Sequence, residues 1–314
     1  MSGVAAMRDY YAKVLIALGK KNKDIVVLDA DLSCSTRTEK FAKEFPDRFF
    51  NAGIAEQDCI GMSAGFACMG KTVFASSFAM FITGRTWEQI RNSVCYPNLN
   101  VKVCATHAGI TVGEDGASHQ ALEDIALMRI LPNMRVIVPA DALEAEQAIH
   151  FVAKESGPFY VRMSRGATPV IFNEGECDFQ LGKNKVLKEG KDVTIMASGI
   201  MVKMALDAAD VLEKEHEVSA AVVNVSSIKP LDEENIYKMA VSTGAFVTAE
   251  EHSIFGGVGS AIAEVTARKC PVPIEMLGIA GVFGESGKPD ALLEKHGLNV
   301  KGIVSKALLA VSRK

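Results

Sequence analysis

The chain has 314 residues, 48% of them hydrophobic and 23% charged, with a formal net charge of -4. This composition allows a large buried core and excludes a disordered chain, and the length favours two domains. Lys and Arg are scattered and slightly outnumbered by Asp and Glu. We therefore expect no nucleic-acid partner, because such proteins carry a basic face.

The seven cysteines include no C-x-x-C pair, and their number is odd. Reduced thiols in a cytoplasmic protein are the natural interpretation. Arg8 and Asp9 interrupt any early apolar run, so the sequence indicates no secretory signal. The most membrane-like stretch, 59–84, carries Lys71 at its middle, where a charge costs about 2.5–3.5 kcal/mol. We expect no membrane partner.

The first half of the chain alternates helical and strand patterns. Helices are predicted at 4–18, 36–45, 55–69, 78–93, 121–130 and 141–155. Strands are predicted at 25–29, 48–51, 72–75, 101–106, 134–138 and 159–162. Strands separated by helices of this length predict a parallel sheet that is covered on both faces.

This periodicity fades after Ser164 and resumes in the second half. Strands are predicted there at 193–197, 218–225, 245–250 and 273–278. Helices are predicted at 201–214, 232–242, 258–269 and 299–311. The predicted fold class is α/β, with two three-layer domains and mainly parallel sheets. The expected boundaries are 1–165 for the first domain, 166–190 for a linker and 191–314 for the second.

Glu56 lies in the first turn of a predicted apolar helix. Taken alone, it is explained by the positive end of the helix dipole, worth about 0.3–1 kcal/mol. Ligands of open α/β sheets, however, lie beyond the carboxyl ends of the strands. The residues that follow the first-domain strands are Asp31, Ser33, Ser35, Glu56, Ser76, Ser77, Phe78, His107 to His119 and Arg165. Together these residues include acids, two histidines, an aromatic residue and an arginine, more reactive groups than loops at the edge of a sheet need for structure alone.

The loop 106–119 carries three glycines and two histidines. The glycines allow positive φ angles and close approach of the backbone to a ligand. His107 and His119 could both bind a metal, but no third ligand has the expected spacing. The sequence therefore favours no metal site in this chain.

Five motifs, in order, resemble the transketolase family of thiamine-diphosphate enzymes. They are Gly53-Ile-Ala-Glu-Gln57, Ser77-Phe-Ala-Met-Phe81, Thr106-His107, Gly113-Glu-Asp-Gly-Ala-Ser-His-Gln120 and Ser164-Arg165. The resemblance covers essentially the whole chain, as the family's pyrimidine-binding and C-terminal domains. 1-Deoxyxylulose-phosphate synthase shares some of these features, but the Thr-His-Ala-Gly and Gly-Glu-Asp-Gly stretches fit transketolase better.

The resemblance also implies that this chain lacks the N-terminal domain of the family. Family members that work alone bind Mg²⁺ and the cofactor diphosphate through a Gly-Asp-Gly…Asn motif in an N-terminal domain. The only Asp-Gly here is Asp115-Gly116, inside the histidine loop. We therefore expect one subunit of a split transketolase. A separate N-terminal subunit would supply the Mg²⁺ ligands and the diphosphate site, in an α2β2 assembly.

For the cofactor, the resemblance implies that Glu56 hydrogen-bonds N1′ of the aminopyrimidine and favours its imino tautomer. Phe78 and Phe81 match aromatic residues that wall the pyrimidine ring. Asp31 matches a residue near the thiazolium. A third aromatic wall is expected in the family, but Gly84-Arg85 stand in that part of the sequence.

For the substrate, the resemblance implies that Arg8, Ser35, His107 and Arg165 hold a sugar phosphate. His119 and Asp115 match residues that contact sugar hydroxyls near the reacting carbon. The reaction would be reversible transfer of a two-carbon ketol unit from a ketose phosphate to an aldose phosphate. The catalytic set is thus predicted to be Glu56, His107, His119 and Asp115.

Two alternatives stay open. One is the β subunit of a 2-oxo-acid dehydrogenase E1, and the other is a scaffold that lacks catalysis. In the second domain, Phe255-Gly-Gly-Val-Gly-Ser260 imitates a phosphate loop but lacks the Walker lysine, so we expect a tight turn. His252 and Glu250-Glu251 are expected to be interface or solvated polar groups.

Overall fold

The computed structural model describes residues 3–173, 175 and 177–314. Its strands are β1 (Val4–Ala6), β2 (Ile25–Asp29), β3 (Phe49–Asn51), β4 (Thr72–Phe78), β5 (Val101–Thr106), β6 (Arg135–Ile137), β7 (Phe159–Arg162), β8 (Ala167–Pro169), β9 (Lys185–Lys188), β10 (Val193–Ala197), β11 (Ala220–Asn224), β12 (Ser227–Lys229), β13 (Phe246–Ser253) and β14 (Ile274–Ile279). Its α-helices are α1 (Met7–Lys21), α2 (Ser33–Thr36), α3 (Glu39–Glu44), α4 (Glu56–Cys68), α5 (Trp87–Gln89), α6 (Asp124–Arg129), α7 (Ala142–Lys154), α8 (Met201–His216), α9 (Glu233–Thr243), α10 (Val258–Lys269), α11 (Pro289–Lys295) and α12 (Val300–Ser312).

The first sheet has seven strands in the order β12-β6-β7-β5-β4-β2-β3. All neighbours are parallel except β12 and β6. Strands β2, β4, β5 and β7 are buried along their whole length, as expected when helices cover both faces of a sheet. The carboxyl ends of β2, β4 and β5 therefore meet at one edge, where the candidate residues follow.

The second sheet has five strands in the order β14-β13-β10-β11-β9, with only β9 antiparallel to its neighbour. The stretch predicted as a linker, 166–190, contains β8 and β9, while its Glu174 and Glu176 lie outside the described residues. Strand β8 pairs with β1, so the predicted helix begins at Met7 and not at Val4. Such three-residue strands depend on distant pairing, which periodicity does not register.

Three apolar clusters fill the molecule. Helices α1 and α7 cover one face of the first sheet, through side chains such as Tyr11 and Ile149. A second cluster covers the other face and continues into α9 and α10 under the second sheet, for example at Val258. Helices α8 and α12 cover the remaining face of the second sheet. Two three-layer α/β domains with mainly parallel sheets are thus confirmed, and they share a core.

Two predicted helices have different forms in the structure. The predicted helix 78–93 is wrong at its start, because β4 continues through Phe78. The rest of that stretch includes π-helical turns at Phe81–Arg85 and Ile90–Cys95. The predicted helix 36–45 is broken at Arg37, which has a left-handed φ of 70° and separates α2 from α3. Within the described part of the chain, every helix is too short or too polar to span a lipid bilayer.

Candidate active site

Glu56 is the first residue of α4 and is only 6% exposed. The turn before it is set by Asn51, whose Oδ1 accepts hydrogen bonds from the Gly53 amide at 2.9 Å and the Asp31 amide at 3.0 Å. The Glu56 carboxylate therefore lies at the positive end of the α4 dipole, where a negative charge is stabilised. Its Oε1 also accepts a hydrogen bond from Nη1 of Arg85 at 2.9 Å.

Four rings form one continuous face beside this carboxylate. Phe78 and Phe81 are nearly parallel, with centroids 5.9 Å apart and planes 21° apart. His107 stacks on Phe78 at 3.8 Å, and His119 meets Phe81 edge-on at 4.9 Å. These are the offset and edge-to-face geometries that aromatic groups prefer. The structure thus brings together four site residues that the sequence places on three separate segments.

Arg85 connects Glu56 to this aromatic face. Its guanidinium carbon lies 4.2 Å from the centroid of Phe81, in cation–π geometry. Its backbone carbonyl accepts a hydrogen bond from Nε2 of Gln57 at 2.9 Å. The π-helical turn from Phe81 to Arg85 adds a residue to the usual helical turn. No sequence pattern assigned Arg85 a role.

His107 is held in a neutral form. Its backbone has a φ of 58°, and its Nδ1 lies 2.8 Å from Oγ1 of Thr106. Burial lowers the pKa of His107 to about 3, and the positive charges of Arg8 and Arg165 add to this effect. At neutral pH the imidazole can therefore donate or accept hydrogen bonds, but it adds no charge to the site.

Three arginines provide the positive charge around His107. Arg8 donates from Nη1 to the carbonyl of Ser35 at 3.0 Å, and Arg165 donates to the carbonyl of Val112. Arg37, which sequence reasoning missed, acts electrostatically on His107 together with Arg8 and Arg165. Burial, followed by the charge of Arg37, lowers the pKa of Arg8. Neighbouring cations of this kind form a favourable site for an anion.

Three acidic side chains lie near these arginines, two on the histidine loop and one on α1. Nη1 of Arg165 is 3.5 Å from Oε2 of Glu114 and 3.9 Å from Oδ2 of Asp115. Nε of Arg37 is 3.3 Å from Oδ1 of Asp9. Each acid contacts a single guanidinium nitrogen of its arginine.

The second domain fixes the loop that carries the two histidines. Oε1 of Glu251 accepts a hydrogen bond from the Thr111 amide at 2.6 Å. Gly109 has a φ of +84°, and a Cβ there would overlap the Glu251 carboxylate. The Oγ of Ser286 donates to the carbonyl of Glu114 at 2.6 Å. The loop is thus positioned by β13 and by the segment before α11.

Asp31 lies on the loop after β2, and its amide shares the Asn51 acceptor with the Gly53 amide in the turn before Glu56. Asp31 is exposed, has a φ of 60°, and its Oδ1 accepts a hydrogen bond from Nδ2 of Asn51 at 3.2 Å. The loop is shaped by Asp29, whose carboxylate accepts hydrogen bonds from the Leu32 amide and from the hydroxyls of Thr36 and Thr38. Burial raises the pKa of Asp29 to about 6.

The polar groups of the second domain have structural roles. Glu250 accepts hydrogen bonds from the amides of Val258 at 2.7 Å and Gly259 at 2.8 Å, which cap α10. The glycine-rich loop is therefore a tight turn whose amides are already used, as expected. His252, Glu250 and Glu251 are buried, so the alternative that these groups are solvated is wrong. They lie where the two domains meet.

The residues that sequence reasoning missed had weak local signals. Arg37 follows the polar run Ser33–Thr36 after a buried strand, which is where ligand-binding residues collect. Because a helix was predicted across 36–45, Arg37 was not counted among the residues that follow a strand. Arg85 sits beside Gly84 inside a predicted helix, and only the wider turn brings its guanidinium over Phe81.

Two family models match the chain. Residues 4–170 match the model described as "Transketolase, pyrimidine binding domain", and residues 182–303 match "Transketolase, C-terminal domain". The chain belongs to the transketolase family, and membership implies dependence on thiamine diphosphate.

Its relatives include proteins of the same length. A protein of Methanocaldococcus jannaschii named "Putative transketolase C-terminal section" is 54% identical over 98% of this chain and 97% of its own length. A 6-deoxy-6-sulfo-D-fructose transketolase subunit of a Clostridium strain is 42% identical over 98% of this chain and 95% of its own length. A solved structure described as "Split gene transketolase, inactive beta4 tetramer" is 51% identical, with a TM-score of 0.91, over 99% of this chain and 100% of that one.

The residues of the site fit one half of thiamine diphosphate. Phe78 and Phe81 offer flat apolar area to an aminopyrimidine ring, and Glu56 offers a buried carboxylate to a ring nitrogen. For the Mg²⁺ and diphosphate half, residues 3–173, 175 and 177–314 contain no group of three His, Cys, Asp or Glu side chains placed to hold a metal ion. Ligands from a partner subunit therefore stay a prediction.

Proposed function

We propose that this chain is the C-terminal subunit of a split, thiamine-diphosphate-dependent transketolase. The observation that carries the proposal is the buried carboxylate of Glu56 beside the four-ring face of Phe78, Phe81, His107 and His119. An acid at a helix N-terminus beside flat apolar rings suits a neutral heterocycle with a basic nitrogen. The family membership supplies the identity of that heterocycle.

The role of Glu56 follows from its position. When bound, the cofactor supplies the carbon nucleophile that carries the two-carbon unit. Glu56 holds a proton between its carboxyl oxygen and the pyrimidine nitrogen, and its burial keeps water from competing for that hydrogen bond. Phe78 and Phe81 fix the plane of the ring. Asp31, which is exposed on the β2 loop, is proposed to face the other end of the cofactor.

The substrate is proposed to be a ketose or aldose with an anionic end. Arg8, Arg37 and Arg165 bind that end, with the neutral His107 donating a hydrogen bond and Ser35 holding Arg8 in place. His119 and Asp115 face the sugar hydroxyls, as in the family motif. A phosphate is our first choice, and the relative named for a sulfonated sugar supports testing a sulfonate as well.

Activity is proposed to require an N-terminal transketolase subunit that brings Mg²⁺ and the diphosphate site, in an α2β2 assembly. The similar structure described as an inactive tetramer of β chains supports this dependence. A cytoplasmic location is proposed from the cysteine usage, and the cysteines of the described residues are all free.

A coupled ketol-transfer assay tests the proposal. The chain alone, and the chain co-expressed with a candidate N-terminal subunit, are supplied with Mg²⁺, cofactor, ketose phosphate and aldose phosphate. We expect transfer only from the pair, and a loss of about 10²-fold or more for Glu56→Gln. The control is Asp58→Asn, an exposed acid in the same first turn, which should keep full activity.

Pyruvate decarboxylation, run beside ketol transfer, separates the alternatives. Decarboxylation without ketol transfer would favour the 2-oxo-acid dehydrogenase alternative. Condensation of pyruvate with glyceraldehyde phosphate would favour the deoxyxylulose-phosphate synthase alternative. No thiamine chemistry from any pair would favour the scaffold, and full transfer by this chain alone would contradict the split assembly.

A further inference from the structure

Arg85 occupies both groups that the proposed pyrimidine ring would use. Its Nη1 lies 2.9 Å from Oε1 of Glu56, and its guanidinium carbon lies 4.2 Å above the ring of Phe81. A guanidinium is planar and stacks on aromatic faces much as a heterocycle does. The same side chain therefore satisfies the carboxylate and covers the apolar ring.

We propose that Arg85 is a latch on the cofactor site, which closes over Glu56 and Phe81 in the unassembled subunit and opens when the pyrimidine ring binds. This inference rests on the proposed function. It adds that the cofactor must displace Arg85 when it binds. The planar pyrimidine ring then replaces the planar guanidinium on the same two partners, Glu56 and Phe81.

The burial of the two partners suits a reversible latch. The side chain of Glu56 is 7% exposed, whereas that of Arg85 is 51% exposed. Arg85 can therefore swing into solvent without disturbing the core, while Glu56 stays where the helix holds it. Because Arg85 is half-exposed, salt can screen the ion pair in part, and a ligand that itself hydrogen-bonds Glu56 can replace the guanidinium without leaving the carboxylate unpaired.

The local backbone supports motion of the side chain alone. Nε2 of Gln57 donates to the Arg85 carbonyl at 2.9 Å, which ties the π-helical turn to the first turn of α4. The guanidinium can leave Glu56 while this backbone contact stays. Without the latch, the subunit would carry a buried, unpaired carboxylate, which is costly. The latch thus lets the chain fold before its cofactor and partner arrive.

The test uses the full chain and a neutral probe, the hydroxymethyl aminopyrimidine that forms half of thiamine. Its affinity is measured by NMR titration for wild type, Arg85→Met and Arg91→Met. Arg91 is an exposed arginine of the following π-helical turn, Ile90–Cys95, and serves as the matched control. We expect about tenfold tighter binding for Arg85→Met only, from loss of the competing ion pair and cation–π contact.

Salt gives a second reading of the same contact. Raising NaCl from about 0.15 to about 1 M screens the ion pair, so wild type should bind the uncharged probe more tightly. The affinity of Arg85→Met should not change with salt. Equal or weaker binding by Arg85→Met than by Arg91→Met would overturn the latch, because Arg85 would then be a bystander or a wall of the site.

Chemical labelling of Glu56 separates failure of the latch from failure of the proposed function. A water-soluble carbodiimide with an amine nucleophile converts accessible carboxyl groups to amides, and peptide mass spectrometry gives the rate at Glu56. We expect severalfold faster labelling in Arg85→Met than in Arg91→Met. Equal rates would overturn the latch. Faster labelling of Arg85→Met, with no probe binding to any variant, would support the latch but contradict the proposed cofactor site.

Discussion

The imidazole of His107 lies flat against the ring of Phe78, with centroids 3.8 Å apart and planes 19° apart. This contact buries His107 next to Arg8 and Arg165, in surroundings that disfavour a protonated ring. The predicted phosphate site therefore draws its charge from arginines alone. His107 contributes geometry and hydrogen bonding.

The first prediction concerns acid stability. The pKa of His107 is about 3 in the folded chain and near 6.5 when unfolded. Between these values only the unfolded chain takes up the proton, so the free energy of unfolding falls as pH falls from 6.5 towards 3. His107→Gln should remove about 1–2 kcal/mol of the loss between about pH 6.5 and pH 5. Urea unfolding of wild type and His107→Gln at the two pH values measures this difference in the free energy of unfolding.

NMR titration of the histidine ring protons provides the control. The resonance that disappears in His107→Gln should show no protonation step above about pH 5. A midpoint near pH 6.5 for that resonance would contradict the assigned environment of His107.

A second prediction concerns Arg37, whose charge acts on His107 together with the charges of Arg8 and Arg165. Arg37→Met should raise KM for a sugar phosphate about 10- to 100-fold and leave kcat largely unchanged, because charge-assisted hydrogen bonds are worth about 1.5–3 kcal/mol. Steady-state kinetics of the assembled enzyme measures both constants.

Lys40 gives a matched control for Arg37. Both side chains pair with Asp9, with Lys40 Nζ 3.2 Å from its Oδ1, but the main cations that lower the pKa of His107 are Arg8, Arg165 and Arg37. Lys40→Met should therefore keep KM within about twofold. An equal effect of the two substitutions would show that Arg37 acts through Asp9 and not on the substrate.

A third prediction concerns the buried ion pair of Arg162 and Asp124, in which Nε lies 2.7 Å from Oδ2. Arg162 also donates to the carbonyls of Ala121 and Glu251, so it ties the end of the histidine loop to the second domain. Arg162→Met should lower the free energy of unfolding by about 3–5 kcal/mol, because it leaves Asp124 buried without a counter-charge.

The double variant Arg162→Met/Asp124→Asn tests the cause. Removing the stranded charge should make the double variant less unstable than the sum of the two single variants. Lys238→Met, which breaks the exposed pair with Glu234, should change stability by less than about 0.5 kcal/mol. Denaturant titrations of wild type and the four variants measure these differences, and strictly additive effects of Arg162→Met and Asp124→Asn would contradict the prediction.

The sequence was sufficient for the main α/β architecture, because buried parallel strands and amphipathic helices are local patterns. It also singled out Glu56, Phe78, Phe81, His107 and His119, which the structure brings to one place. The sequence was insufficient where a side chain several residues away determines the local backbone conformation. The carboxylate of Asp29 accepts hydrogen bonds from Leu32, Thr36 and Thr38 and so fixes the turn in which Arg37 breaks the predicted helix.

Contacts between the domains were also beyond the sequence pattern. Strand β12 follows the second-sheet strand β11 in the chain, yet it pairs with β6 of the first sheet. The two carboxylates of Glu250 and Glu251 were expected to be surface or interface groups. Glu250 caps α10 within the second domain. Glu251 accepts the hydrogen bond from Thr111, and this contact depends on the packing of one domain against the other.

The last prediction uses two glycines with similar φ angles and different surroundings. Gly53 and Gly109 have φ angles of +73° and +84°. Gly109 also has a ψ of -173°, in a region that is essentially restricted to glycine, which adds to the cost of any substitution there. A Cβ at Gly53 meets nothing within 4 Å, whereas one at Gly109 overlaps the Glu251 carboxylate. Gly53→Ala should cost only the left-handed strain, about 1–2 kcal/mol. Gly109→Ala should cost more, because the Glu251 bond to Thr111 must also break.

Activity should separate the two substitutions more sharply than stability does. Gly109→Ala displaces the loop that holds His107 and His119 against the phenylalanine rings, and a shift of about 1 Å can cost roughly 10²-fold in rate. Because Glu251 is the obstacle, Glu251→Ala combined with Gly109→Ala should recover part of the lost stability by removing the overlap. Urea unfolding and ketol transfer are measured on the three single variants, Gly53→Ala, Gly109→Ala and Glu251→Ala, and on the double variant. Equal losses for Gly53→Ala and Gly109→Ala would mean that β13 does not position the histidine loop.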